Sequence, residues 1–369
     1  MAEPLKNLFD ERVLVSVAAD IRRVHPTFDA RGFVDDATRG IEHRSLMERG
    51  HHAADCLRRA LPAHYDDAVR VLVASLGPPL PEDGQLGNGA FRYLAHVAFV
   101  QRYGLDSPER SLDAQHALTQ RFTAEWCVRP YIERHFDLTY ARLTTWTADR
   151  SAHVRRLVSE GTRPRLPWAS RLRRFQEDPT PALALLERLK DDSSVYVRRS
   201  VANHLNDVAK DHPALVVDRC AAWVGSSRAR MDIVSHALRS LVKAGDPSAL
   251  AVLGLRAEAH VRVEGVRAEP PRPRVGQTVT VSCELVSTSK RTEDVLVDYA
   301  VDYVKSNGET RAKVFKLRRF ALGPGEAKPL TFRIAFVQRT TRTHYPGRHP
   351  IALLVNGIPF PLTAVELRP

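Results

Sequence analysis

The sequence predicts a multidomain α-then-β chain, an α-solenoid followed by an immunoglobulin-like β-sandwich, from three observations. Up to about residue 260 apolar residues recur at three and four spacing, and within that stretch an eight-residue motif returns 43 positions later. After Glu264 the apolar period changes to two. The expected domains are residues 1–260 and 261–369, with the junction between Ala257 and Glu264.

The helical part is read from Ala53 to Leu61, Asp66 to Leu76 and Leu112 to Val128, with a turn-rich loop from Gly77 to Gly89. Ser-Ala-His-Val-Arg-Arg-Leu-Val, starting at Ser151, returns as Ser-Val-Tyr-Val-Arg-Arg-Ser-Val at Ser194. A fainter third copy, Ser227 to Leu238, follows after 33 residues. Periods of about 40 to 47 residues belong to HEAT arrays, in which stacked helix pairs bury one stripe and expose a concave face.

In the second part Val279, Val281, Cys283 and Leu285 alternate with polar neighbours, as do Val295, Val297, Tyr299, Val301 and Tyr303. Leu330, Phe332, Ile334 and Phe336 form another half-buried strand. Ile351 to Val355, then Asn356-Gly357, then Ile358, Phe360 and Leu362 read as a hairpin on a tight turn. Six or seven such strands with no helix between them fit the sandwich.

Composition narrows the function. No apolar run is long enough to span a bilayer, and the start, MAEPLKNLFDERV, lacks the basic end and apolar stretch of a secretory signal. A soluble, monomeric protein of the bacterial cytosol, associated with the nucleoid when bound to DNA, is therefore expected, with no membrane partner. Cys56, Cys127, Cys220 and Cys283 fit no zinc spacing, so no metal is expected. HExxH, GxSxG, Walker and GxGxxG motifs are absent, so no cofactor is expected and the familiar hydrolase, NTPase and dehydrogenase classes are excluded.

The formal charge is +12, from 55 Lys+Arg against 43 Asp+Glu, which favours a polyanionic partner. Residues 261–369 carry 18 Lys+Arg against 10 Asp+Glu, so the sandwich holds most of the excess. The sharpest cluster runs from Arg142 to Arg174, nine arginines with two acids and no lysine. Guanidinium forks suit phosphate, although a solvated basic face would read the same way.

On the helix opened by Ser151, Val154, Leu157 and Val158 share one side while Arg156 and Glu160 lie opposite, which predicts that both polar groups face outward. A shift of 43 residues puts Arg199 and Asn203 on the equivalent face, with Asp207 one turn later. Glu160 ends its helix, where the dipole disfavours an anion by roughly 0.3–1 kcal/mol. Either Arg156, Arg163 and Arg165 neutralise it in a structural network, or the acid is kept among arginines to stabilise positive charge on a nucleic acid. Trp168, eight residues on, would stack on bases or cap the seam between repeats. Glu125 sits near the expected end of a helix halted by Pro130.

At RFTAEWCVRPYIERH (Arg121 to His135), HVRRLVSEGTRPRLPW (His153 to Trp168) and VYVRRSVANHLNDVAKDHP (Val195 to Pro213) the sequence resembles the AlkC branch of the bacterial HEAT-like-repeat alkyl-DNA glycosylases. The likeness extends from HPTFDARGF (His25 to Phe33) to about residue 260, and one subgroup is similar in carrying an immunoglobulin-like carboxy-terminal domain. The resemblance implies excision of alkylated bases, such as 3-methylcytosine and 3-methyladenine, from double-stranded DNA. By motif it implies Glu125, Glu160 and Asp207 as active-site acids, Arg156 and Arg163 as DNA-holding residues, and Trp168 as a contact to the opened duplex. Arg165, Arg199 and Asn203 join the expected DNA-binding face. A non-catalytic HEAT scaffold gripping nucleic acid or protein is the competing reading.

Overall fold

The computed structural model describes residues 4–81, 87–225, 227–339 and 342–369; part of the Gly77 to Gly89 loop lies outside them. The first helices are α1 (Glu11–Val24), α2 (Ala30–Thr38), α3 (Leu46–Ala60), α4 (Tyr65–Ala74), α5 (Leu94–Tyr103), α6 (Pro108–Thr119), α7 (Val128–Arg134) and α8 (Phe136–Trp146). Then come α9 (Ala152–Gly161), α10 (Arg173–Glu177), α11 (Thr180–Leu189), α12 (Val195–Val208), α13 (Pro213–Trp223), α14 (Arg228–Ala237), α15 (Arg239–Lys243) and α16 (Pro247–Val252). Seven strands follow: β1 (Val261–Glu269), β2 (Thr278–Ser287), β3 (Glu293–Val304), β4 (Thr310–Leu322), β5 (Ala327–Ala335), β6 (Gly347–Val355) and β7 (Ile358–Leu367).

Packing divides the chain into two compact units, one of residues 1–212 with 225–237, the other of 213–224 with 238–369. In the first unit, starts are fixed by side chains that take up orphan N–H groups: Asp10 accepts from Val13 N, Asp29 from Gly32 N, and Ser45 with Glu48 forms a capping box. The three copies of the sequence repeat become α9, α12 and α14, which pack in that order. Each strong copy opens the same way. Asp149 Oδ1 accepts from Ser151 N at 2.8 Å, and Asp192 Oδ1 from Ser194 N at 2.8 Å. The first arginine of each Arg-Arg pair then ties down the preceding turn. Arg155 donates to the carbonyls of Asp149 and Arg150, and Arg198 to those of Asp192 and Ser193. Arg155 also grips Asp192 with two hydrogen bonds, of 2.6 and 3.0 Å, and so joins one repeat to the next. The first arginine of each pair is therefore structural, and that of the first copy also a joint between repeats, while the second of each pair faces elsewhere.

In the second unit, β1-β2-β5 and β4-β3-β6-β7 form the two sheets, all neighbours antiparallel. Val279, Val281, Cys283, Leu285, Val295, Val297, Val301, Leu330, Phe332, Ile334 and Ile351 meet in one core, as their alternation predicts. Asn356 and Gly357 have φ of 50° and 79°, the left-handed pair that a two-residue hairpin turn requires. Asn356 also donates to Arg256 O and accepts from Leu296 N. All four cysteines are free and buried, and among the described residues no cluster of metal-ligating side chains occurs and no helix is long and apolar enough to cross a membrane.

Candidate active site

The predicted acids do not face outward. Glu160 is 6% exposed and Asp207 3%, both packed between α9 and α12. The expectation of an outward Glu160 presumed one covered side of the helix. In the array α9 is packed by α6, α8, α11 and α12, so its polar side is covered as well. Pro130 also needs correcting: it lies inside the first turn of α7, where its missing N–H is not needed, and does not halt a helix. Glu125 lies instead in the turn between α6 and α7.

These residues form one continuous chain. Arg156 Nη1 contacts Glu125 Oε2, and Arg156 Nη2 lies 3.6 Å from Glu160 Oε1. Arg163 Nη1 donates to the same Glu160 oxygen at 2.5 Å, then reaches Asp207 Oδ2 through Nε at 2.8 Å and Nη2 at 2.7 Å. Lys210 closes the far end on Asp207 Oδ1 at 2.9 Å. From Glu125 to Lys210 the chain thus holds three carboxylates against two guanidiniums and one ammonium, so its formal charges balance.

Several neighbours that sequence reasoning missed set the details. Ser200 Oγ donates to Glu160 Oε2 at 2.6 Å and lies 3.0 Å from Ser159 Oγ. One signal for it existed: Ser200 stands where the first repeat has buried Leu157, a polar residue on the core stripe. Thr123 Oγ1 donates to Glu125 Oε2 at 2.9 Å, and the Arg156 guanidinium lies 5.1 Å from the centre of the Tyr196 ring. His204 Nδ1 donates to Ser159 O at 2.9 Å, behind Glu160. Gly161 lets the end of α9 close on the Glu125 turn, since a Cβ there would stand 2.6 Å from Val128 Cγ1.

The electrostatics keep Glu160 charged. Burial pushes its carboxyl up, yet Arg156, Arg163 and the Ser200 hydroxyl together outweigh burial and hold it below the ordinary glutamate range. Burial likewise opposes the charge on Arg156 and Arg163, and their carboxylate partners more than restore it. Glu160 and Asp207 have both oxygens committed to protein donors. Glu125 has Oε2 so committed, while Oε1 accepts no hydrogen bond from the described residues.

The remaining predicted residues are separate from this chain of charges. Arg165 pairs with Asp211 through Nε at 3.2 Å and does not reach Glu160. Trp168 is 74% exposed with φ of 63°, so it does not cap a seam between repeats. Arg199 is exposed and lines a groove of about 210 Å³ with Arg198, Asp232 and His236, while Asn203 bonds to His236. Within the arginine-rich stretch, Arg171 and Arg173 are exposed and make no ion pair among the described residues.

The structure is thus an array of helical repeats with ion-paired acids buried between two of them, followed by an immunoglobulin-like sandwich. The family model described as "Uncharacterised protein YhaZ, C-terminal Ig-like domain" matches residues 262–369. The "Uncharacterized protein YhaZ" of Bacillus subtilis (strain 168) is 34% identical over 359 residues, covering 96% of both chains. A solved structure of the Pseudomonas fluorescens alkylpurine DNA glycosylase AlkC, bound to DNA containing an abasic site analog, is 38% identical with a TM-score of 0.91, covering all of both chains. The chain belongs to the AlkC-type alkyl-DNA glycosylases, in the subgroup with a carboxy-terminal immunoglobulin-like domain.

Proposed function

We propose that this protein is a monofunctional DNA glycosylase that hydrolyses the N-glycosidic bond of cationic alkylated bases, 3-methyladenine and 3-methylcytosine, in duplex DNA. The observation that carries the reading is the buried chain Glu125–Arg156–Glu160–Arg163–Asp207, in which Glu160 is held ionised and Glu125 keeps Oε1 without a donor among the described residues. Acids serving stability alone would have all their oxygens engaged by protein donors. An ionised carboxylate with an open oxygen beside it can hold a water and favour a positive charge brought up to the pair.

A cationic base leaves with the bonding electron pair and becomes neutral, so the departure needs no proton from the protein. The sugar it leaves behind turns into an oxocarbenium-like cation, which a fixed carboxylate stabilises without reorganisation. Glu160, held ionised by Arg156, Arg163 and Ser200, supplies that field. Glu125, whose Oε1 has no donor among the described residues, is the group suited to hold the water that attacks C1′ and to take its proton. Asp207 acts mainly by fixing Arg163, to which it offers Oδ2 at 2.7 Å. Phosphate contacts fall to the exposed Arg171, Arg173 and Arg199 rather than to Arg156 and Arg163, whose guanidiniums are engaged by acids. Trp168 contacts the opened duplex. The protein works in the cytosol as a monomer.

The reading is tested by incubating the purified protein with methylated duplex DNA and identifying released bases by mass spectrometry. Free 3-methyladenine or 3-methylcytosine supports it, and Glu125→Gln and Glu160→Gln should each slow release by roughly 10²-fold or more with DNA binding equal or tighter. Binding without release by the unaltered protein would leave the scaffold reading standing.

A further inference from the structure

Among the described residues Arg129 is the largest side chain that is essentially fully buried, 1% exposed, and no carboxylate among them pairs with it. Its guanidinium is spent on three backbone carbonyls: Gly161 O at 3.0 Å, Arg163 O at 2.7 Å, and Ser170 O at 3.0 and 2.5 Å from Nε and Nη2. Burial pushes it down to about 10. An arginine buried with no carboxylate in contact, and chiefly the field of Glu133 one turn along α7 to support its charge, is costly, so the carbonyls it binds must be held for a reason. Two of them lie at the end of α9 and just beyond it, where a cation suits the helix dipole. Ser170 does not belong to that helix. It stands on the far side of a loop whose tip is Trp168, so Arg129 braces the loop across its base.

The loop is otherwise built to be still. Leu172 N donates to Pro164 O at 3.2 Å, Ala169 N to Leu166 O at 3.4 Å, and Leu166 and Leu172 are buried. At its tip stands Trp168, the most exposed large hydrophobic side chain among the described residues, in the left-handed region that a tryptophan disfavours. A strained, solvent-exposed ring gives the fold nothing, while a buried cation at the base stops the strain from relaxing.

We propose that Arg129 is a positioning residue, whose cross-brace from Gly161 and Arg163 to Ser170 holds Trp168 in one presentation before DNA arrives. The proposal rests on the glycosylase reading for its catalytic consequence but not for its structural one. Preorganisation of this kind spares the ordering of the wedge at the moment of binding.

Two measurements test it on the full chain. In protein labelled with 5-fluorotryptophan, Trp168, assigned from Trp168→Phe, should give one narrow ¹⁹F line despite its exposure. Arg129→Met should split or broaden that line and leave those of Trp126, Trp146 and Trp223 in place. Arg129→Lys, which keeps charge but cannot bridge both sides of the loop, should do the same if the methionine variant folds poorly. In single-turnover excision, Arg129→Met should slow base release about tenfold in the native background, and by less than about twofold when Trp168 is already alanine. An unchanged Trp168 line in both variants, or equal losses in both backgrounds, overturns the proposal. A native protein that releases no base sinks the glycosylase reading and leaves the ¹⁹F spectra to decide the loop.

Discussion

Glu160→Gln isolates charge from shape at the centre of the site. The variant keeps the side-chain volume and one oxygen to accept from Arg163 or Ser200, and it removes one negative charge from the Glu125-to-Lys210 chain. Arg156 and Arg163 are present before and after, so their fields cancel from the comparison. What is lost is the carboxylate's own attraction for the sugar. At about 4 to 6 Å and an effective dielectric of about 20, that attraction is about 3–4 kcal/mol. It converts to roughly 10²- to 10³-fold in rate. Stability should fall by only about 1–3 kcal/mol, because Arg163 retains Asp207 and Arg156 retains Glu125. The assay is single-turnover release of 3-methyladenine from a saturated duplex, with a thermal melt alongside and DNA affinity measured separately. Excision within threefold of the native rate by a folded variant would refute the reasoning, as would a loss of rate explained wholly by weaker DNA binding.

Other consequences follow from the same structure. Excision of a cationic base should be flat between pH 6 and 8, since Glu160 is held below the ordinary range and no proton is donated; a rise toward acid in that window would show a required general acid. Stability should decline as pH falls from about 6.5 to 4, because buried His204 and His96 are pushed by burial to about 4 and about 3. In that window the unfolded chain binds protons that the folded chain does not, so melts at pH 7.5 and 5 give the sign directly. Arg171→Gln and Arg173→Gln should each weaken DNA binding and lower the slope of log affinity against log salt by about 1. Gly161→Ala should cost about 1–3 kcal/mol and slow excision, since its Cβ would meet Val128 at 2.6 Å beside the Glu125 turn; an unaltered melt would show that the turn yields freely.

Much of the fold was legible because its signals are local. The period of 43 residues located α9 and α12, and the alternation from Val279 and Val295 located β2 and β3 with the right residues inward. Two strands escaped. In β1 a bulge between Glu264 and Arg267 shifts the inward phase from Val261 and Val263 to Val266 and Ala268, so no period of two survives. In β4 the edge of the sheet carries Arg311, Lys313, Lys316, Arg318 and Arg319, charges that protect an edge and hide a strand. At the site, the sequence named Glu125, Glu160 and Asp207 together with Arg156 and Arg163, and these do meet. It misjudged their burial, because a helical wheel shows which residues share a face and not how many neighbours cover the helix. Arg129 left no sequence signal at all, since each of its partners is a backbone carbonyl.

The most direct measurement compares binding of two duplexes that differ at a single sugar, one a cationic pyrrolidine analogue and the other a neutral tetrahydrofuran. The native protein should prefer the cationic sugar by roughly 10²-fold or more, and Glu160→Gln should lose most of that preference while holding the neutral duplex as tightly as before. Equal affinity of the native protein for both duplexes, or a preference that survives in the glutamine variant, would contradict the assignment of Glu160 as the anion that steadies the sugar.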